Sequence, residues 1–262
     1  MDGCLGIFFC DVDGTILPHG QGAIDSAFFD LVHQAKNQGY CFCISSGRYH
    51  QSLINFFKEV KDEVIFSASN GCRILYQGQD LITPHMMERL TVERVLADFT
   101  SWDVIGLLST LDGFYVHHHH AEHPRIVALL ERGYTRFYDD ISEIPDTVLQ
   151  MTALCSGNRD ELLPTAKERY GDAFHVFATG VQLFDICPTN KGASLEEICS
   201  FLKLDADQSW AFGDDENDVA MLRAAGTGYL MKHASEHLHS HGFLVTENVV
   251  ETITHIIYSL TL

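Results

Sequence analysis

Basic residues are scarce in this chain. Its 262 residues include 17 Lys and Arg against 36 Asp and Glu, a formal net charge of −19. Binding to nucleic acid through its backbone charge needs clustered Lys and Arg, so a nucleic-acid partner is excluded and an anionic membrane surface is disfavoured. Long apolar runs are also missing: no stretch approaches the roughly 20 residues that span a bilayer. The segment "MDGCLGIFFCD" lacks the basic start and the apolar length of a signal peptide. A soluble cytoplasmic protein is expected. None of the eight cysteines (Cys4, Cys10, Cys41, Cys43, Cys72, Cys155, Cys187 and Cys199) belongs to a C-x-x-C pair. Several, such as Cys41 and Cys43, sit inside apolar runs, which reads as small buried hydrophobes in a reducing compartment. No internal repeat is evident, and no low-complexity segment apart from a histidine run. If an anion is the substrate of so acidic a chain, its site must supply its own positive charge.

What is present is an alternation of strands and helices. "LGIFFCDVD" is a continuous apolar run, as suits a strand buried on both faces. In "IDSAFFDLVHQAKNQG", Ala27, Phe28, Leu31, Val32 and Ala35 share one helical face, with Asp25 or Ser26 to cap the start and Gly39 to end it. A strand in "YCFCISSGR", a helix through "QSLINFFKEV" and a strand in "EVIFSASNG" follow. This β-α-β-α-β order predicts a parallel sheet with right-handed crossovers. The style then changes. A helix at "HMMERLTVERVLADF" precedes a hairpin turning near Asp112-Gly113, a helix at "HPRIVALLERG", a strand at "TVLQMTALC", a helix at "RDELLPTAKERYG" and strands at "AFHVFAT" and "VQLFDIC". After Pro188 the first style returns: a helix at "NKGASLEEICSFLKL", a strand at "SWAFGDD", a helix at "NDVAMLRAAG" and short strands at "TGYLM" and "FLVT". The fold class is therefore α/β: a Rossmann-like parallel-sheet core (1–82 and 188–262) interrupted by an inserted α+β unit (83–187) with an open antiparallel sheet.

Polar residues recur at the ends of the predicted core strands: Asp11 and Asp13, Ser45 and Ser46, and the stretch "FGDDEND", with Lys191 at a helix start. In open parallel sheets the strand carboxyl ends form the ligand crevice. Two carboxylates about 4 Å apart repel by about 4 kcal/mol at an effective dielectric near 20. If Asp11, Asp13, Asp214 and Asp218 converge, they are partly protonated or neutralised by a cation, and an all-oxygen set suits Mg²⁺. A lysine at a helix start opposes the helix dipole, and makes sense when an anion such as phosphate binds beside it. Ser46 and Gly47 offer a hydroxyl and close backbone approach. The constellation reads as Mg²⁺ plus phosphate.

"DVDGT" (11–15), "SSGR" (45–48), "NKG" (190–192) and "GDDEND" (213–218) resemble, in order and spacing, the four motifs of the haloacid dehalogenase (HAD) superfamily. "SNG" (69–71) and the large insertion before Lys191 resemble the Cof-type sugar-phosphate phosphatases, whose α/β cap enters at that point. The resemblance implies a nucleophile at Asp11 that forms an aspartyl-phosphate. It implies proton transfer by Asp13 and phosphoryl contacts from Ser46 and Lys191, with Ser45 as the fallback for Ser46. Mg²⁺ would be held by the Asp11 carboxylate, the Asp13 backbone carbonyl and Asp214. Asp218 would support the metal or orient Lys191. Gly14 would let the backbone approach the phosphate, with Asn217 a further contact and Asp215 a solvent-facing neighbour. The family's cap closes over the core and sets specificity. Arg48 and Asn70, at core strand ends, are nominated as substrate-proximal, with surface loop polarity as the plainer reading of each.

The expected activity is Mg²⁺-dependent hydrolysis of small phosphorylated metabolites, sugar phosphates first, with phosphorylated cofactors such as pyridoxal phosphate and flavin mononucleotide still open. A phosphomutase of the same fold and a non-catalytic phosphometabolite sensor are the alternatives. The histidines at 117–120, and His233, His237, His239 and His241, read as exposed loop or strand-end residues, with adventitious nickel or zinc binding as the alternative. Four consecutive strand residues alternate faces and do not make a tetrahedral metal site. Oligomeric state leaves no sequence signal.

Overall fold

The apolar run GIFFC forms β1 (Gly6–Cys10), buried at every position. The computed structural model describes residues 3–180 and 182–260. Helix α1 (Ser26–Asn37) follows, capped by the Asp25 carboxylate, which accepts the Ala27 N–H, and burying Phe28, Phe29, Leu31, Val32 and Ala35. Then come β2 (Tyr40–Ser45), α2 (His50–Phe56), β3 (Ile65–Ala68) and an antiparallel extension, β4 (Arg73–Tyr76) and β5 (Gln79–Asp80). Helix α2 is shorter than the sequence pattern predicts. Phe57 and Val60 are both fully buried, and the chain reaches that burial through turns, Val60 N–H donating to Phe57 O and Glu63 N–H to Val60 O.

The next segment runs through α3 (Arg89–Ser101), β6 (Ile105–Thr110), β7 (Phe114–His117), α4 (Pro124–Leu130), β8 (Thr135–Tyr138), β9 (Val148–Leu154), α5 (Arg159–Tyr170), β10 (His175–Thr179) and β11 (Leu183–Cys187). Helix α3 starts at Arg89, later than predicted, because Met87 N–H is taken by Val148 O at 2.7 Å. The strand expected over 181–187 begins at Leu183; Val181 lies outside the described residues. The chain closes with α6 (Lys191–Leu202), β12 (Ser209–Gly213), α7 (Val219–Ala224), β13 (Thr227–Met231), α8 (Glu236–His239), β14 (Leu244–Thr246) and α9 (Val249–Leu260).

These elements make two compact units, Met1–Thr83 with Asn190–Leu262, and Pro84–Thr189. The first holds a sheet in the order β14-β13-β12-β1-β2-β3-β4-β5. From β14 to β3 every pairing is parallel, and β4 and β5 add antiparallel strands at one edge. Apolar layers cover both faces: Phe8, Phe28, Phe42, Phe57 and Phe66 on one, Ile7, Phe9, Ile65, Leu195 and Ile198 on the other. Side-chain alternation along β1 assigns Phe8 and Phe9 to opposite layers. The second unit holds a sheet in the order β10-β11-β9-β6-β7-β8. It is antiparallel except where β8 runs parallel to β7 at the edge. That parallel pair is not anticipated by a purely antiparallel reading; α4 between the two strands reverses the chain and allows it. Among the described residues, no helix is long and apolar enough to cross a membrane.

Candidate active site

Asp11 directly follows β1, and its N–H donates to Phe212 O on β12, so the two central strands fix its backbone. On the far side of β12, Gly213 leads into the Asp214–Asp218 turn. A Cβ on Gly213 would lie 2.5 Å from the Asp218 Cβ, so the missing side chain is what lets Asp218 fold back beneath the strand end. The Asp218 Oδ2 accepts the backbone N–H groups of Asp214 (3.0 Å) and Asp215 (3.1 Å). Its Oδ1 accepts Lys191 Nζ at 2.6 Å.

Lys191 opens α6. Asn190 caps that helix, its Oδ1 accepting Gly192 N–H and Ala193 N–H at 2.8 and 2.9 Å. The cap aims the first helical side chain at the strand ends, where Lys191 Nζ also donates to Asp11 Oδ1 at 2.6 Å. The Lys191 and Asp218 side chains are wholly inaccessible. Burial works against the ammonium charge, but Asp11 and Asp218 outweigh it and push the Lys191 pKa up. Burial, joined by the charge of Asp218, pushes the Asp11 carboxyl well above the usual range, with Lys191 pulling the other way. Asp214 is pushed up to about 7, first by burial and then by Asp218 and Asp215. Carboxylate oxygens of Asp11, Asp214 and Asp218 lie within 4.8 Å of one another. One lysine among three buried carboxylates leaves the cluster short of positive charge.

Gly14 adopts φ +87°, and a Cβ there would sit 2.0 Å from Asp214 Oδ2, so the missing side chain lets the Asp214 carboxylate pack against the Gly14 backbone. Thr15, not singled out from sequence, donates its hydroxyl to Asp214 Oδ1 at 3.3 Å. Asp13 lies apart from the buried carboxylates. Its side chain is half exposed and held by both faces of the Arg48 fork, Nε to Oδ2 at 2.7 Å and Nη2 to Oδ1 at 2.6 Å. Arg48 in turn stacks over the Phe56 ring, 4.3 Å from its centroid.

Ser46 is buried and its Oγ accepts the Arg48 N–H at 3.2 Å. The neighbouring Ser45 hydroxyl is buried with no hydrogen-bond partner among the described residues. Asn70 is fully buried in the left-handed region (φ 56°), directly after Ser69 at φ 49°. Such conformations cost about 1–3 kcal/mol each for non-glycine residues. The surrounding bonds hold them: Ser69 N–H to Arg48 O, Asn70 N–H to Ser46 O, and Asn217 Nδ2 to Asn70 Oδ1, each at 3.0 Å. A Cβ on Gly47 would crowd the Asn70 amide at 3.1 Å. Asn70 and Asn217 thus tie the 46–48 loop to the 214–218 turn. Asp215 is exposed and caps the turn, its carboxylate accepting Glu216 N–H at 2.8 Å and the Asp218 backbone N–H.

Two histidines complete the surroundings of Asp214. His19 and His233 place Nε2 atoms 3.5 and 3.6 Å from Asp214 Oδ2. Partial burial, and then His19, lower the His233 pKa. The sequence takes His233 for an exposed histidine, with adventitious nickel or zinc binding as the alternative, and singles out no role for His19. The signal for His233 was its place two residues beyond β13, the parallel neighbour of β12. The run at His117–His120 belongs to the other unit, where His118–His120 form a 3₁₀ turn with no buried residue.

The chain is 26% identical over 230 residues to the 5-amino-6-(5-phospho-D-ribitylamino)uracil phosphatase YbjI of Escherichia coli K12, covering 86% of this chain and 84% of that protein. It is 25% identical over 241 residues to the HMP-PP phosphatase of Cronobacter sakazakii, covering 89% and 86%. Its fold matches that of SMU.1108c from Streptococcus mutans with a TM-score of 0.87 at 19% identity, over 97% of this chain and 99% of the other. Residues 8–253 match the family described as haloacid dehalogenase-like hydrolase. That span takes in the strand end bearing Asp11, the Asn190-capped lysine and the Asp214–Asp218 turn, and by it this chain belongs to the haloacid dehalogenase-like hydrolases.

Proposed function

We propose that the protein is a Mg²⁺-dependent phosphatase of small phosphorylated metabolites, sugar phosphates first, that works through an aspartyl-phosphate on Asp11. The observation that carries this reading is Lys191 buried between Asp11 and Asp218 at the strand ends. Lys191 Nζ spends two N–H groups on the carboxylates, and the third remains for a phosphoryl oxygen. Asp11 commits Oδ1 to Lys191, and Oδ2 is the atom that attacks phosphorus. As that bond forms, the ester P–O bond breaks and the leaving oxygen takes a proton from Asp13. Water then attacks phosphorus, gives its proton to Asp13 and releases phosphate from Asp11. Ser46 accepts the Arg48 N–H, so its own hydroxyl proton is free to reach a phosphoryl oxygen.

Arg48 holds Asp13 by the two contacts that a phosphoryl group also offers a guanidinium. Substrate arrival exchanges Arg48 from Asp13 to the phosphoryl oxygens, and the half-exposed Asp13 then takes from solvent the proton that it gives to the leaving oxygen. The oxygen-only, charge-deficient set of Asp11 and Asp214 fits Mg²⁺, which the Asp13 backbone carbonyl would complete. When bound, the ion neutralises charge on the transferring group. Asp218, with one oxygen on Lys191 and the other on two backbone N–H groups, positions this set. Choice of substrate is assigned to the inserted segment expected at 83–187.

The test is phosphate release from p-nitrophenyl phosphate, a panel of sugar phosphates and the substrates for which the relatives are named, with Mg²⁺ or EDTA. Turnover with Mg²⁺ and a loss of at least ~10³-fold in Asp11→Asn are expected. Turnover that survives Asp11→Asn would remove Asp11 as nucleophile. Isomerised sugar phosphate without free phosphate would mean a mutase.

A further inference from the structure

His19 Nε2 and His233 Nε2 both face Asp214 Oδ2, at 3.5 and 3.6 Å. Those separations exceed an N–H···O hydrogen bond, so neither imidazole is bonded to the oxygen on which both converge. One ring nitrogen of each histidine and one carboxylate oxygen of Asp214 lie within 4.8 Å of one another, and the two rings meet edge to face with centroids 5.6 Å apart. A tetrahedral zinc ion with bonds of about 2.0–2.1 Å sets its ligand atoms about 3.3–3.4 Å apart. An octahedral Mg²⁺ with similar bonds sets adjacent ligands about 2.9 Å apart and favours oxygen over imidazole. The two histidine-to-carboxylate separations lie beside the tetrahedral value. Side-chain exposures of 71% for His19 and 46% for His233 leave the approach open.

We propose that His19 Nε2, His233 Nε2 and Asp214 Oδ2 form a binding site for a transition-metal dication of the Zn²⁺ class, distinct from the Asp11 carboxylate site and sharing Asp214 with it. Imidazole donors favour zinc-class ions over Mg²⁺ at any availability the two share. An ion drawn to the histidines takes hold of Asp214 Oδ2, so zinc opposes Mg²⁺-dependent turnover. That inhibition rests on the proposed function; the binding does not.

The test titrates the full-length, EDTA-treated protein with Co²⁺, whose visible bands distinguish four from six ligands, and then displaces it with Zn²⁺. One tightly bound Co²⁺ per chain with four-coordinate bands is expected. Because both histidines are exposed, His19→Ala and His233→Ala leave the fold intact, and each weakens binding by at least ~100-fold. His237→Ala binds as the wild type does. Zn²⁺ inhibits the wild type in excess Mg²⁺, and His233→Ala loses that inhibition while keeping its zinc-free turnover. Only six-coordinate bands, or wild-type affinity in both His19→Ala and His233→Ala, would overturn the site. Tight four-coordinate binding in a wild type that turns over nothing would leave the metal site standing and sink the phosphatase.

Discussion

Lys191 is an ammonium group with no access to water, and its charge is tolerated only because two carboxylates face it at 2.6 Å. Replacing it with methionine leaves Asp11 and Asp218 facing each other uncompensated. Breaking a buried pair in this way costs about 3–5 kcal/mol, so Lys191→Met is expected to shift the urea midpoint of the unit that holds it down by that equivalent with an unchanged slope. Asp214 sets a pH dependence of its own. Burial, Asp218 and Asp215 raise it to about 7 against the opposing pull of His19 and Lys191. An unfolded-chain carboxyl titrates near 3.9, so between about pH 4 and pH 7 the folded state holds the extra proton. Stability of the metal-free protein therefore falls as pH rises through that window, by at most ~1.4 kcal/mol per pH unit from this group. Chemical denaturation in EDTA should show a flatter profile for Asp214→Asn than for wild type; parallel profiles would refute the raised Asp214. At this scale the carboxylates and Lys191 were readable because strand ends and a helix start announce them. The packing of Asp214 against Gly14 was not readable, because the two lie 200 positions apart and no local pattern says what fills a glycine's missing side chain. His19 was hidden for the same reason.

Among the elements, α6 is the one whose start is most exposed to a single change. Asn190→Ala removes the oxygen that holds Gly192 and Ala193 N–H groups, at a cost of about 1 kcal/mol. Because the cap also aims Lys191, kcat for any phosphate monoester turned over should fall more than the stability loss alone explains. Asn190→Asp, which keeps the accepting oxygen, should restore most of both. Helices α1 and α6 were legible from their apolar stripes and caps. Strand β4 was not: it is four residues long and antiparallel, next to the edge strand of a sheet whose signal is a parallel one. Helix α9 was also overlooked, although Val249, Ile253, Ile256 and Ile257 are buried at helical spacing. Its β-branched content weakens helix propensity, and the packing of that stripe overrides it.

For the whole molecule, two separate apolar cores imply two unfolding events. The chain has two tryptophans, one in each unit. Trp102 packs on Phe99 and Phe184; Trp210 stacks on Phe8. Trp102→Phe and Trp210→Phe variants thus each retain one reporter. Denaturation followed by fluorescence is expected to give different midpoints in the two, and Mg²⁺ should move only the midpoint seen by Trp210. Coincident midpoints that shift together would show a single cooperative unit. The split architecture itself was readable, because the change from buried strands to hairpins and back is a change of periodicity rather than of any single residue.

Strand β1 pairs with β2 on one side and with β12 on the other, Ile7 facing Ser209 in register. During synthesis on a ribosome those two partners emerge 202 residues apart. At about 5–20 residues per second, the apolar run Ile7-Phe8-Phe9 waits roughly 10–40 s with one edge open. The whole inserted unit, contiguous from Pro84 to Thr189, is made during that interval. Nascent chains of this protein therefore carry an exposed hydrophobic strand edge throughout that interval, the kind of segment that chaperones engage.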